Sequence, residues 1–424
     1  MNTKHALMLS VFLLACAVLL TFLQAFSFAP PWYPFCKRLD ELSFTSASAQ
    51  PPTLVFEDPG TIKVMHGSGC AHSKDDFLKV EQSIDIPAYA NKAAVFLNGW
   101  KLKYSDGDHH VGVMVTVIGK ISFEPGKLTW NAMGALGDEG HDKAIDWCDW
   151  YTVVAWNDTN LHAFVDQGDA EHFCKSGGTP SGSDTFFFAE NTGTSTALSW
   201  FRSFLSNANF ASDGTAAVLP RGFGFRYLSF DEDHHVLQVA YNLEHSEIFI
   251  QDQSYKKAEG ELHPLPTPPT GRVDSGFVRW GTYGIFKDND TRRDYQLGEF
   301  VSSMGGPDVG VIQPPFAILP FEGAAGCVGY SADVKTENVI IDNVPYTYAI
   351  PMLTGWDLSY CSDHHVREVG IWIDDLHYDK APNAPTGTLR YKLSSVLRDD
   401  SDNGHAYQHK VTILGLRSLA GGKQ

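Results

Sequence analysis

Apolar and polar residues alternate in short runs along most of this chain. KAAVFLNGWKLKY (Lys92 to Tyr104), HHVGVMVTVIGKISF (His109 to Phe123) and WYTVVAW (Trp150 to Trp156) are rich in valine and aromatic residues. A period of two sends successive side chains to opposite faces, so these runs predict half-buried strands. Clusters of Gly, Pro, Asn and Asp separate them: EPGK, GDEGHD, SGGTPSGSD, LPTPPTG, MGGPD and APNAPTG. Helical periodicity is scarce; its best example, TALSWFRSFLSNA (Thr196 to Ala208), reads as one short helix or a pair of strands. The pattern predicts an all-β protein built from antiparallel strands.

The strands recur in order. LNGWKLKYSDGDHHVGVMVTV (Leu97 to Val117), PRGFGFRYLSFDEDHHVLQVAYNL (Pro220 to Leu243) and LTGWDLSYCSDHHVREVGIWI (Leu353 to Ile373) share one frame. It runs Gly-aromatic, a spacer, Leu or Phe, a spacer, Tyr, a short turn, then Asp-His-His-Val and an apolar strand. A second block follows each: LTWNAMGALGD (Leu128 to Asp138), VRWGTYGIFKD (Val278 to Asp288) and LRYKLSSVLRD (Leu389 to Asp399). Blocks in the same order three times mark an internal repeat. The expected architecture is three tandem antiparallel β-sandwich repeats of roughly 100 residues each, either separate or packed about a pseudo-threefold axis. Their bounds are drawn at 53–178, 179–310 and 311–424, after a leader at 1–29 and an extended tether at 30–52.

Three chemistries compete for the repeated Asp-His-His-Val: Asp108-His109-His110, Asp233-His234-His235 and Asp363-His364-His365, each followed by valine. Between a strand ending at Tyr104 and another starting at Val111, the motif reads as a hairpin return. A carboxylate there accepts from turn amides and an imidazole bridges two loops, which makes a structural corner. Each motif is alternatively a metal site of its own, with His as ligand and Asp as ligand or outer partner. Strand alternation sends the two rings to opposite faces, which argues against chelation within one motif. The third reading joins His109, His234 and His364 around a threefold axis. Acidic turns offer oxygen ligands for calcium at Asp138, Asp288, Asp290, Asp399 and Asp402, though without EF-hand spacing. No cofactor follows from the motifs themselves; calcium is the ion these turns would take. The aligned Trp130, Trp280 and Tyr391 suit either a sugar-stacking platform or the core, and their apolar neighbours favour the core.

Charge and targeting narrow the classes. With 32 basic and 50 acidic side chains the net charge is -18, a balance that opposes binding to nucleic acid or anionic lipid. Lys4 and His5 precede an apolar run from Ala6 to Ala29. That is a signal peptide, an uncleaved anchor, or, least in keeping with the run's length, a lipidated Cys16. The expected location is secreted, cell-surface or periplasmic, with membrane contact only through this segment. Six cysteines remain beyond Cys16, as expected of disulfides in an exported chain. Closeness in sequence suggests the pairs Cys148–Cys174 and Cys327–Cys361. GxSxG, P-loop and GxGxxG motifs are missing from the sequence, which leans away from an enzyme.

The order GW-x-L-x-Y, HHV-x-x-V, G-x-L-x-W, Asp and YTVVAW resembles the H-type lectin domain over roughly residues 95–156, and more loosely over 350–416. The resemblance implies a six-stranded antiparallel sandwich, threefold association and sugar binding. It carries over no sugar-contacting residue, and Asp-His-His-Val is not part of that family's pattern. The expected function is therefore a non-catalytic binding or adhesion protein, with a glycan or other cell-surface component as partner. The alternatives are a structural, self-associating extracellular protein and a metal-dependent enzyme with a histidine site between repeats.

Overall fold

The computed structural model describes residues 45–138, 140, 142–157, 162–165, 184–189, 219–252, 273–287, 295–305, 309–312, 331–401 and 403–416. In the strands between 162 and 312 the backbone pairing is described, with side chains only for 235–241. The helix-or-strand segment at 196–208, the apolar N-terminal run, Cys36, Cys174, Cys327, Asp288, Asp290 and Asp402 lie outside the described residues. So do the side chains of Asp233, His234 and Trp280.

Among the described residues the regular structure is all β, in three sheets whose ladders are antiparallel. The first sheet holds β1 (Ser48–Ala49), β2 (Thr53–Asp58), β3 (Ile62–Ser73), β5 (Lys92–Tyr104), β8 (Ile145–Trp156), β16 (Lys335–Val344), β18 (Glu368–Asp379) and β19 (Gly387–Arg398). Its order is β1-β3-β8-β5-β18-β19-β16, with β2 also on β3. The second contains β4 (Phe77–Asp85), β6 (Val111–Glu124), β7 (Lys127–Gly137), β9 (His162–Val165), β11 (Leu219–His234) and β14 (Tyr295–Gly305), in the order β4-β7-β6-β11-β14-β9. The third contains β10 (Asp184–Ala189), β12 (Val236–Asp252), β13 (Val273–Lys287), β15 (Val309–Ile312), β17 (Tyr348–His364) and β20 (His405–Leu416), in the order β10-β13-β12-β17-β20-β15. Residues 45–50 are tied down rather than trailing: Thr45 bridges Val80, and Ser48 and Ala49 pair with Cys70 and Gly69.

Each Asp-His-His-Val joins two strands that lie in different sheets. β5 leads to β6, β11 to β12 and β17 to β18, passing from the first sheet to the second, the second to the third, and the third to the first. The motif is thus a crossover between sheets and not the return of a hairpin within one. Inside each sheet, a strand that precedes one motif pairs with a strand that follows another: β5 with β18, β11 with β6, β17 with β12. The registers correspond in two of these junctions. Motif Gly99 faces Trp372, six residues after Val366, and motif Gly355 faces Asn242, six residues after Val236. Glycine is required at Gly99 because a Cβ there would run into the backbone of Trp372.

The period of two places the core where the alternation put it. Trp100, Leu102, Tyr104, Val113, Val115 and Val117 are buried, as are Trp356, Leu358, Tyr360, Val369, Ile371 and Ile373. Trp100 and Trp356, from two motifs, meet edge to face at 5.3 Å, an arrangement aromatic quadrupoles favour. Trp130 is fully buried with its ring 4.9 Å from that of Tyr151, and Tyr391 is buried too, so both belong to the core.

One expected disulfide is corrected. Cys148 bonds Cys70, which lies directly opposite it on the neighbouring strands β3 and β8, and not Cys174. Closeness in sequence misled because β3 and β8 are 78 residues apart yet adjacent in the sheet. Cys361 is also disulfide-bonded. A cross-link closing a loop of that length restricts the unfolded chain, by about 2–4 kcal/mol in typical cases. The double variant Cys70→Ser/Cys148→Ser is expected to lose that much in equilibrium urea unfolding. An unchanged midpoint would show that the bridge constrains nothing.

Candidate functional site

The three motifs converge on one place. The first histidine of each makes a backbone bridge with the valine of another. His109 bridges Val366 (N to O 3.0 Å, and 2.8 Å in return), His234 pairs with Val111, and His364 pairs with Val236. The three bridges close a ring. A residue whose backbone is engaged to a neighbour in this way turns the next side chain to the opposite side. The next side chain is the second histidine.

The second histidines meet. The rings of His110 and His235 are 4.5 Å apart between centroids, those of His110 and His365 4.5 Å, and those of His235 and His365 4.7 Å. One nitrogen from each lies within 4.8 Å of the other two. The threefold alternative for the motif joins His109, His234 and His364; the structure instead gathers His110, His235 and His365. The alternation correctly separated the two rings of each pair. It could not say which ring faces the other motifs, because that depends on which backbone forms the bridge.

The aspartate of one motif serves the second histidine of another. Asp108 Oδ1 is 3.4 Å from His365 Nδ1, and Asp363 Oδ2 is 3.6 Å from His235 Nδ1. The side chain of Asp233 lies outside those described. Asp108 is itself held: its Oδ2 accepts from Asp400 N at 3.1 Å, and Asp108 N donates to Asp400 Oδ2 at 3.1 Å. Arg367 binds the other oxygen of Asp400. The main chain beside His110 and His365 is pinned as well. Tyr104 Oη donates to the carbonyl of His110 and Tyr360 Oη to that of His365, at 3.1 and 3.2 Å. The tyrosine of the repeated frame therefore positions the second histidine.

The first histidines have a different task. His109 packs edge-on against Tyr104, at 4.8 Å, with Asp106 Oδ1 3.1 Å from its Nε2 and Asp138 Oδ2 3.9 Å from its Nδ1. His364 packs edge-on against Tyr360 at 5.2 Å, beside Ser362, Asn403 and Asp399. These are turn-holding contacts. Two of the acidic residues considered for calcium are thus engaged here. Asp399 is buried and accepts from Ser401 N, Asn403 N and Asn403 Nδ2, which closes its turn as an Asx motif would. Asp138 lies beside His109 and Lys143.

The sequence carried the aspartates and tyrosines in plain view, but nothing in it linked Asp108 to His365, 257 positions apart. A second polar set went unnoticed. Buried His66 lies with its Nδ1 3.1 Å from Thr152 Oγ1 and its Nε2 3.0 Å from the carbonyl of Ile373. Buried Asn98 donates to Thr152 and to the carbonyl of Pro351. Asn98 is a single polar residue inside the strand read at Lys92 to Tyr104, and the stretch around His66 carries no strand pattern of its own. Burial drives His66 down to about 4, so it is neutral and structural. No family model, curated protein or solved structure matches this chain.

Proposed function

We propose that this chain is an exported, non-catalytic binding protein, a pseudo-trimer in one polypeptide, whose ligand is a glycan. The observation that carries the reading is the closed ring of motif bridges: His109 with Val366, His234 with Val111, His364 with Val236. Three copies that exchange strands in a cycle have equivalent surroundings. A surface site on one then recurs on the others in the same orientation. Such display suits repeated ligands, where linked weak sites gain avidity.

Each copy takes the form of a β-sandwich. The contacts of Trp130 with Tyr151, and the approach of Trp147 to Gly134, support this by joining β7 and β8 from different sheets. Disulfides fit an oxidising location. Among the described residues no helix is long and apolar enough to cross a membrane; export is read from the apolar run at Ala6 to Ala29. The resemblance to H-type lectins and the repetition favour sugar over other surface ligands.

Purified full-length chain applied to a broad glycan array, with calcium and with chelator, is expected to bind one glycan class, more tightly to densely displayed than to sparse sugar. Sedimentation is expected to give a monomer, since the copies satisfy one another within the chain. No binding to any glycan would defeat the ligand assignment. Concentration-dependent oligomers would favour the self-assembling alternative.

A further inference from the structure

We infer that His110, His235 and His365 form a three-imidazole site for a divalent transition ion of the zinc class, one per chain, that clamps the three motifs together. This rests on the cluster alone and not on the glycan reading.

The donor set selects the ion. Three imidazole nitrogens suit zinc, cobalt, nickel or copper, whereas calcium and magnesium take oxygen ligands. The Nδ1 atoms of His235 and His365 face carboxylates, at 3.6 and 3.4 Å, which leaves Nε2 of each for an ion. A carboxylate behind a ligating imidazole fixes its tautomer and raises its basicity, the arrangement found behind zinc-bound histidines generally. Three nitrogens with mutual separations up to 4.8 Å lie at most about 2.8 Å from their centre, against ~2.0–2.1 Å for a Zn–N bond. An inward adjustment of roughly 0.7 Å at each ring completes the contact, within reach of small χ changes. The rings are not sealed off: the side chains of His235 and His365 are 43% and 39% exposed. An ion has an entry path and a fourth position open to water or an exogenous ligand.

Edge-to-face ring contacts, at 77° and 79° in two of the three pairs, hold the imidazoles together, and an ion would add a bond from each. The ligands come from positions spaced 125 and 130 residues apart. An ion would therefore close two long loops at once. It would stabilise the folded chain in proportion to its occupancy, because the unfolded chain offers no such site.

The test uses the full chain made without a polyhistidine tag. Metal-stripped protein is titrated with cobalt(II) and followed by the d–d absorption of the four-coordinate ion, then challenged with zinc. One saturable cobalt per chain, displaced by zinc and accompanied by a higher melting temperature, is expected. His235→Ala and His365→Ala should each weaken binding at least tenfold. His72→Ala, at an exposed histidine of strand β3 paired with Asp146, should bind as the wild type does. Should an alanine variant fail to fold, the wild-type titration alone decides, by whether a saturable four-coordinate site exists. The inference is overturned if no saturable site is found, or if folded His235→Ala and His365→Ala both retain wild-type affinity.

Discussion

Trp100→Ala is expected to cost about 3–5 kcal/mol of stability, the range for emptying a fully buried Trp position. Trp100 is 1% exposed and lies on β5, the strand through which the first motif region joins β18. Its ring meets Trp356, itself fully buried on β17, so the pair ties together strands on either side of two junctions. Trp356→Ala is expected to cost a similar amount. Because the rings touch, the double variant should lose less than the two single losses combined, with a coupling of about 0.5–1.5 kcal/mol. Urea unfolding of the four proteins measures this. A loss below about 1 kcal/mol in either single variant, well under the usual cost of a core truncation, would show that these rings do not hold β5 and β17 together.

The second large effect is on pH. Between about pH 4 and 6.5 the wild-type stability is expected to rise only gently, and Asp149→Asn to steepen the rise. Two sets of buried groups act in opposite directions. Burial lowers His66 and His405 to about 4, and lowers His409 as well. As pH falls below 6.5 the unfolded chain takes up protons that the folded chain refuses, so their contribution is lost on acidification. Burial raises Asp149 to about 7 and Asp357 to about 6. As pH rises from about 4, the unfolded chain releases protons that the folded chain keeps, so stability falls until those folded values are passed. Each shift of one unit is worth about 1.4 kcal/mol, and the aspartates offset most of the histidine slope.

Asp149→Asn removes one of the downward slopes. Asp149 Oδ1 accepts from Gln82 Nε2 at 2.9 Å and from Gly69 N at 3.1 Å, and an asparagine oxygen can keep both. Asp149 Oδ2 is buried without a hydrogen-bond partner among the described residues, so as a carboxylate it carries an unbalanced charge. The variant should be more stable than the wild type at pH 8, by about 1–3 kcal/mol after allowing for its own buried amide. At pH 4 the two should be close. Its stability should climb steadily from pH 4 to 6.5, uncovering the histidine limb. Urea midpoints at pH 4, 6 and 8 check this. Parallel profiles for the two proteins would mean that Asp149 is not the raised group.

Particular residues show where sequence reading stops. The alternation around Trp100, Leu102 and Tyr104, and again around Trp356, Leu358 and Tyr360, set their burial, because side-chain direction in a strand is a local property. Trp130 and Tyr391 were legible as core for the same reason. Asn98 was not, because an isolated polar residue on an apolar strand has no period to stand out from, nor was His66, whose stretch carries no strand pattern of its own. Asp138 and Asp399 looked like ion ligands because acidic turns all look alike until their neighbours are known. Only in the fold do His109 and the turn around Asn403 stand beside them.

The chain's order of residues by itself determined that the protein is β-rich, that one frame recurs three times, and that Asp-His-His-Val lies where a strand ends and another starts. These follow from local periodicity and repetition. The tertiary structure decided which residues the recurrence brings together. Pairing β5 with β18, β11 with β6 and β17 with β12 closes a ring, and only that ring decides that His110, His235 and His365 meet while His109 and His364 hold turns. It likewise chose Cys70 as the partner of Cys148. Strand partners and register come from long-range packing and loop closure, and the two histidines of each pair are chemically identical until a neighbouring backbone engages one of them.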